Sequence, residues 1–381
     1  MSQTKAQLVS GTTAQDLTVD NINTTSINSG QASGRKNLII NGAMQVAQRG
    51  TSATNSGYGT VDRFRVQYSG TDEAPTQEQV DVASGTTPYT LGFRKALRIT
   101  NGNQTGGAGT SDAVHFQYYA ESQDIANSGW NYLSSSSFVT LSFWIKSSVA
   151  QNFQGRVRTR QGTSQNYAFE TGSLSADTWT KITKTIPGNS NLQFDNDTAK
   201  NFQTDIFAFL GTDDTSSAVS LDTWAAYASG TQVKDVTSTW YTTDNATLEI
   251  TGVQLEVGST ATDFEHRTFG EELALCQRYY TKLTGGGGNE LHFNGSTKQQ
   301  QYVSCSRVEL PTTMRAAPSI SFTGTRDVLF YSNDNSGFSG DVIDVNSFNV
   351  RWGSSVTIGD GTAYTAVLKD NPNFVECSAE L

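Results

Sequence analysis

Between residues 138 and 148, FVTLSFWIKSS, the residues Val139, Leu141, Phe143 and Ile145 alternate with Thr140, Ser142, Trp144 and Lys146. A period of two puts the first set on one face of an extended strand and the second set on the other. A helix would scatter both sets around its circumference. The run therefore demands a strand with one buried side. Residues 179–187 repeat the pattern, with Ile182 and Ile186 set against Lys181, Thr183 and Thr185. Further strands are expected at residues 63–68, 93–100, 113–121, 155–161, 205–211 and 246–257. NLIINGAMQVAQRG, beginning at Asn37, reads as a strand, an Asn-Gly turn and a second strand. Composition agrees: only 16% of residues are charged and Gly alone numbers 35, which argues against a coiled coil or helical bundle. Aromatic residues make up 10%, which argues against full disorder.

ATLEITGVQLEVG changes parity. Leu248 and Ile250 are even-numbered, whereas Val253, Leu255 and Val257 are odd. A strand with one buried face needs an extra residue to do this, so a β-bulge is expected at or beside Gly252.

One segment reads as a helix. Thr268 and Glu271 have capping-box spacing, and Phe269, Leu273, Cys276, Tyr280 and Leu283 follow at alternating spacings of four and three. Gly285–Gly288 ends the run as a breaker and hinge. The chain then returns to strands, including residues 299–310, 319–323, 328–332, 347–352 and 363–368. The expected class is mainly β: a jelly-roll sandwich, one linking helix and a smaller C-terminal β-sandwich. The expected boundaries are 1–34 for an N-terminal arm, 35–268 for the sandwich, 269–288 for the helix and hinge, and 289–381 for the C-terminal domain. Residues 1–34 contain no aromatic residue and few aliphatics, too little apolar surface to offset ordering alone.

The formal net charge is −10 and no basic stripe is visible, so nucleic acid is not an expected partner. No 18-residue apolar run exists, so no membrane insertion is expected, and the N-terminus lacks the apolar stretch of a signal peptide. Cys276, Cys305 and Cys377 make no disulfide framework, which suits synthesis in a reducing cytoplasm. His115, His266 and His292 stand in no zinc-like spacing, and there is no nucleophile elbow or phosphate loop. The acidic pairs Asp195 with Asp197 and Asp213 with Asp214 read as turn carboxylates. No catalytic residue, metal site or cofactor is expected. Aromatic rings in polar loops are the candidates for sugar contact: Trp130, Tyr132, Trp224, Trp240 and Tyr241. A flat ring covers a pyranose face while neighbouring Asn, Asp, Ser and Thr meet its hydroxyls. The same rings would also serve core or inter-subunit packing.

The ordered series GRKNLIINGAMQVAQRG, YGTVDRF, ALRIT, FVTLSFWIKSS, DTWTKITKTIPG and VQLEVGSTATDFEHRTFGEELALCQRYY resembles bacteriophage tail-fibre and related virion proteins. The resemblance implies a jelly roll like that of carbohydrate-binding modules. It further implies a homotrimer in the virion, joined to other phage tail or virion proteins through residues 1–34 and meeting host surface polysaccharide. Related modules carry an Asp pair in the last strand that helps to hold calcium; Thr251 and Gly252 stand there in this chain. The alternatives are a purely structural fibre, a head fibre, an adaptor, or a polysaccharide-degrading spike.

Overall fold

The computed structural model describes residues 36–284, 291–299, 302–329, 338–353 and 363–381. The expected arm at residues 1–34 and the hinge at Gly285–Gly288 lie outside the described residues. The chain is mainly β, and every ladder between the described strands is antiparallel. It falls into two compact units. The first takes the described residues up to Gln45, then Thr51–Gly59 and Phe64–His266; the second takes Val46–Gly50, Thr60–Arg63 and Arg267–Leu381.

The first unit is a two-sheet jelly roll. One sheet runs β1 (Ser52–Ala53), β3 (Thr76–Asp81), β4 (Lys95–Thr100), β12 (Thr247–Val257), β6 (Phe138–Ser147), β9 (Thr180–Pro187). The other runs β11 (Trp224–Ala226), β8 (Gln165–Ser173), β7 (Asn152–Arg158), β10 (Lys200–Leu210), β5 (Ala113–Glu121), β2 (Phe64–Ser69). The chain crosses repeatedly from sheet to sheet, so neighbours in a sheet are rarely neighbours in sequence. Two one-turn helices, α1 (Thr87–Thr90) and α2 (Ser122–Ala126), join the strands. Val139, Leu141, Phe143 and Ile145 are fully buried, as the alternation requires. Phe143 meets Phe169 of the opposite sheet with ring centroids 6.5 Å apart. Each such side chain contributes roughly 1.5–3 kcal/mol of burial.

The parity change in β12 is a bulge. Thr251 faces Trp144 and Gln254 faces Ser142, so three steps on β12 match two on β6. Gly252 sits there at φ 62°, and Leu248, Ile250, Val253 and Leu255 are all buried. The segment expected as an Asn-Gly hairpin is not one. Asn41 and Met44 take positive φ, and the stretch before them docks on β12: Leu38 N–H donates to Leu255 O, and Val253 N–H donates to Gly42 O. The Asn37 side chain donates to Val253 O and accepts from Leu255 N–H. Those backbone groups of the bulged strand are met by this segment, so the turn closes on β12 and no second strand returns.

The second unit is a seven-stranded sheet ordered β13 (Tyr280–Thr284), β19 (Ala363–Ser378), β14 (Leu291–Gln299), β15 (Tyr302–Glu309), β18 (Ser347–Gly353), β17 (Phe338–Asp344), with β16 (Ser319–Leu329) paired to β19. Phe293, Leu310, Met314, Phe348, Val350, Leu368, Val375 and Cys377 form its core. Helix α3 (Phe269–Gln277) falls within this unit and carries the expected capping box, with Thr268 and Glu271 bonded reciprocally. The periodic run stops earlier than expected. Tyr280 and Leu283 belong to β13, where pairing with Ser378 and Val375 of β19 overrides the helical spacing.

Candidate ligand-binding face

The five aromatic candidates do not converge. Trp240 and Tyr241 are wholly buried and Trp130 nearly so, which corrects their assignment as sugar platforms: a ring without an open face cannot stack on a pyranose. Tyr241 stacks on Phe209 at 4.4 Å and donates its hydroxyl to Asp112. Trp130 donates its indole N–H to Ser137 O. Tyr132 and Trp224 are half-buried. Tyr132 meets Phe194 edge-on at 5.0 Å. Trp224 lies opposite Tyr167 on edge strand β11, so it projects on the core-facing side of the sheet, and its indole donates to Pro187 O at 2.7 Å.

The other side of that sheet gathers a polar face that the aromatic criterion missed. Register fixes its rows. Arg65, Gln117, Asp205 and Arg156 stand abreast on β2, β5, β10 and β7. Tyr119, Gln203, Arg158 and Asn166 make the next row, and His115, Phe207, Gln154 and Glu170 the row on the other side. The signal was present in GRVRTRQG: Arg156, Arg158 and Arg160 alternate, so a strand sends them to one side. Part of this face is roofed. A register shift between Phe207 and Phe209 turns Leu210 onto the face. There Leu210, Ala113, Ala168 and Phe207 pack against Val233, with Val219, Leu221 and Val236 beside them.

The rest of the face is polar, and Gln232 of the covering segment reaches it, its side chain accepting from Arg156 and its backbone carbonyl from Asn166 at 2.8 Å. Asp205 is fully buried and accepts from Gln117 (2.9 Å), Arg156 (2.6 Å) and Gln203 (2.7 Å). Burial presses its carboxyl upward, but Arg156 foremost, with His115 and the hydrogen bonds, outweighs that and holds it below its ordinary 3.8. With three donors on it, Asp205 is a structural anion and poorly suited to proton transfer. Burial pushes His115 down to about 4, so the ring is neutral at pH 7. Arg158 rests over the Tyr227 ring at 3.4 Å, and Arg160 donates to Gln203 at 2.8 Å. Among the described residues of this face, His115 Nδ1, Gln154 Oε1 and Asn166 Oδ1 are buried without a hydrogen-bond partner. Native interiors leave few such groups, and they mark places where a ligand or water completes the bonding.

The first sheet carries a separate concavity on its outer side. It holds ≈ 260 Å³ between Leu91, Phe93, Trp144, Lys181, Phe264 and His266. His266 Nε2 lies 2.9 Å from Leu91 O, and Phe93 and Phe264 meet edge-on at 4.9 Å, so aromatic packing closes much of its wall.

No family model and no curated protein matches the chain. Solved structures align with little more than half of it. The enzymatically active domain of tailspike protein 4 from bacteriophage CBA120 aligns at 9% identity and TM-score 0.31, covering 58% of this chain and 21% of that one. A family 4 carbohydrate-binding module aligns at 14% identity and TM-score 0.28, covering 57% and 97%. The N-terminal cellulose-binding domain of Cellulomonas fimi β-1,4-glucanase C aligns at 12% identity and TM-score 0.27, covering 57% and 99%. The class of the first unit, an antiparallel jelly-roll sandwich, follows from its own strand order.

Proposed function

We propose that the chain is a non-enzymatic phage virion protein that contacts host-surface glycans through the polar face of β5, β7, β8 and β10. The observation that carries the reading is the set of unpartnered buried atoms on His115, Gln154 and Asn166, on one face of the sheet. Sugar hydroxyls donate and accept in turn, so they can meet an amide oxygen and an imidazole nitrogen that nothing else satisfies. Tyr132 and Trp224, being half-buried, are secondary candidates at other edges. In this reading residues 1–34 attach the chain to the particle and three copies join, so weak sites act together by avidity. The burial of Trp130, Trp240 and Tyr241 favours the competing reading, a purely structural fibre, head fibre or adaptor.

The test is direct. Purified full chain should bind surface polysaccharide from the host cells and block phage adsorption. Arg160→Gln, at an exposed side chain, should lower both without moving the thermal midpoint, whereas Asn166→Ala should lower both and also cost some stability, because its Nδ2 donates to Gln232 O at 2.8 Å. Removal of residues 1–34 should leave a folded oligomer that no longer enters particles, and light scattering should give three copies. If the full chain neither binds polysaccharide nor competes with phage, it is structural and another protein reads the host.

A further inference from the structure

We infer that the polar face takes an acidic saccharide, one bearing carboxylate groups, with Arg65, Arg158 and Arg160 meeting the carboxylates. The inference rests on the glycan-binding reading above and narrows it to a charge class. It begins from an imbalance. The chain as a whole is acidic, at −10, yet this face collects Arg65, Arg156, Arg158, Arg160 and Lys200. Against them stand Asp205 and, toward the margins, Glu121, Glu170 and Asp214, the last joined to Arg156 through the Gln232 side chain. Glu121 accepts from Gln123, and Glu170 accepts from Asn152 at 2.8 Å. Asp205 is taken up by Arg156, Gln117 and Gln203. Among the described residues, Arg65, Arg158 and Arg160 have no carboxylate within ion-pair distance.

Arg156, Arg158 and Arg160 feel one another, and Arg65 and Arg160 both approach the Tyr119 ring, at 5.8 and 6.0 Å. Burial first, and then the Arg160 and Arg156 charges, press Arg158 below its ordinary value against an opposing pull from Tyr227 and Asp205. Like charges held together cost free energy until an anion arrives among them. The groups are also reachable and partly fixed. Arg160 is exposed, and Arg65 and Arg158 are half-buried. Arg158 is held over Tyr227 and donates from Nε to Ser164 at 3.1 Å. A guanidinium ordered in this way loses little freedom on binding, and its fork matches the two oxygens of a carboxylate. The unpartnered Gln154 Oε1 and Asn166 Oδ1 lie on the same face and accept hydroxyl protons. Cations and hydroxyl acceptors on one face suit a polymer that carries both charge and hydroxyls.

The experiment uses the full chain and three probes in affinity electrophoresis at low salt: polygalacturonate, its fully methyl-esterified form, and dextran sulfate. Polygalacturonate is expected to retard the chain at least tenfold more strongly than the ester, which keeps the backbone and loses the charge. Arg160→Gln and Arg65→Gln, at accessible side chains, are each expected to weaken polygalacturonate binding at least fivefold with an unchanged thermal midpoint. Arg94→Gln, a cation off this face, should have no effect. Equal binding of ester and acid, lost in Asn166→Ala, overturns the acidic class and leaves the glycan reading standing. Equal binding of dextran sulfate and polygalacturonate overturns carboxylate selectivity. Binding of none of the three, with host polysaccharide also unbound, overturns both readings. Binding of host polysaccharide alone, undiminished in both arginine variants, overturns only this one.

Discussion

Arg156 and Asp205 face each other across β7 and β10, with Nε 2.6 Å from Oδ2 and the two side chains 6% and 0% exposed. This pair consumes the central carboxylate of the polar face and thereby leaves the flanking arginines without one. It also makes the face brittle, because a buried charge that loses its partner keeps its desolvation cost.

Asp205→Ala should therefore destabilise the first unit by about 3–5 kcal/mol, the usual cost of breaking a buried pair. The joint change Arg156→Met with Asp205→Leu should recover much of that loss. Chemical denaturation of the single and double variants checks it. A double variant no more stable than the single would show that packing and the Gln117 and Gln203 donors left without an acceptor, and not the orphaned charge, set the cost.

Gly252→Ala should be costly for two separable reasons. The residue lies at φ 62°, and an added Cβ would come 2.6 Å from Phe93 Cζ. Backbone strain and overpacking together predict a loss of roughly 2–4 kcal/mol. In a Phe93→Leu background the steric part should shrink and the backbone part remain. Thermal unfolding of the four proteins resolves the two contributions.

In the second unit Glu380 is held by two arginines, one fully buried and one half-buried. Arg63 is fully buried, donates to Glu380 at 2.6 Å and lies 3.4 Å over the Tyr279 ring. Arg49 reaches Glu380 at 3.2 Å and stacks 3.5 Å over Tyr280. Arg63→Met should cost about 3–5 kcal/mol, since Glu380 keeps only part of its compensation. Hydrogen exchange should show the loosening at Ala379, whose N–H donates to Tyr279 O at 2.7 Å.

Two groups, the half-buried His115 and the buried Asp62, should give opposing pH dependences. Burial lowers His115 from 6.5 to about 4, so between those values the unfolded chain binds a proton that the folded one does not. Stability from this group rises with pH across that window and is lost on acidification. Burial raises Asp62 from 3.8 to about 6, so there the folded chain holds a proton that the unfolded one has released. Stability from this group falls as pH rises through its window. Each is worth roughly 3 kcal/mol. His115→Gln should leave a first unit whose stability no longer drops between pH 6.5 and 4. Asp62→Asn should abolish the second unit's loss between pH 3.8 and 6. Calorimetry across that range, following each unit's transition, reads both.

Local pattern determined much of this molecule. The alternation at Val139–Ile145 requires a half-buried strand in any fold, because side chains on extended backbone must alternate. The parity break at Gly252 requires an extra residue for the same reason, and the Thr268–Glu271 box caps a helix through contacts three residues apart. What pattern could not determine is which strands become neighbours. Arg65, Gln117, Asp205 and Arg156 lie on four strands scattered through the sequence, and only the crossing order of the jelly roll sets them abreast. Whether Trp240 opens to solvent or closes into the core is likewise a property of what packs over it. The Asn-Gly turn failed as a hairpin because β12 offered its backbone to the segment around it. Local spacing fixes the direction of a side chain relative to its own strand; tertiary structure alone decides what that side chain meets.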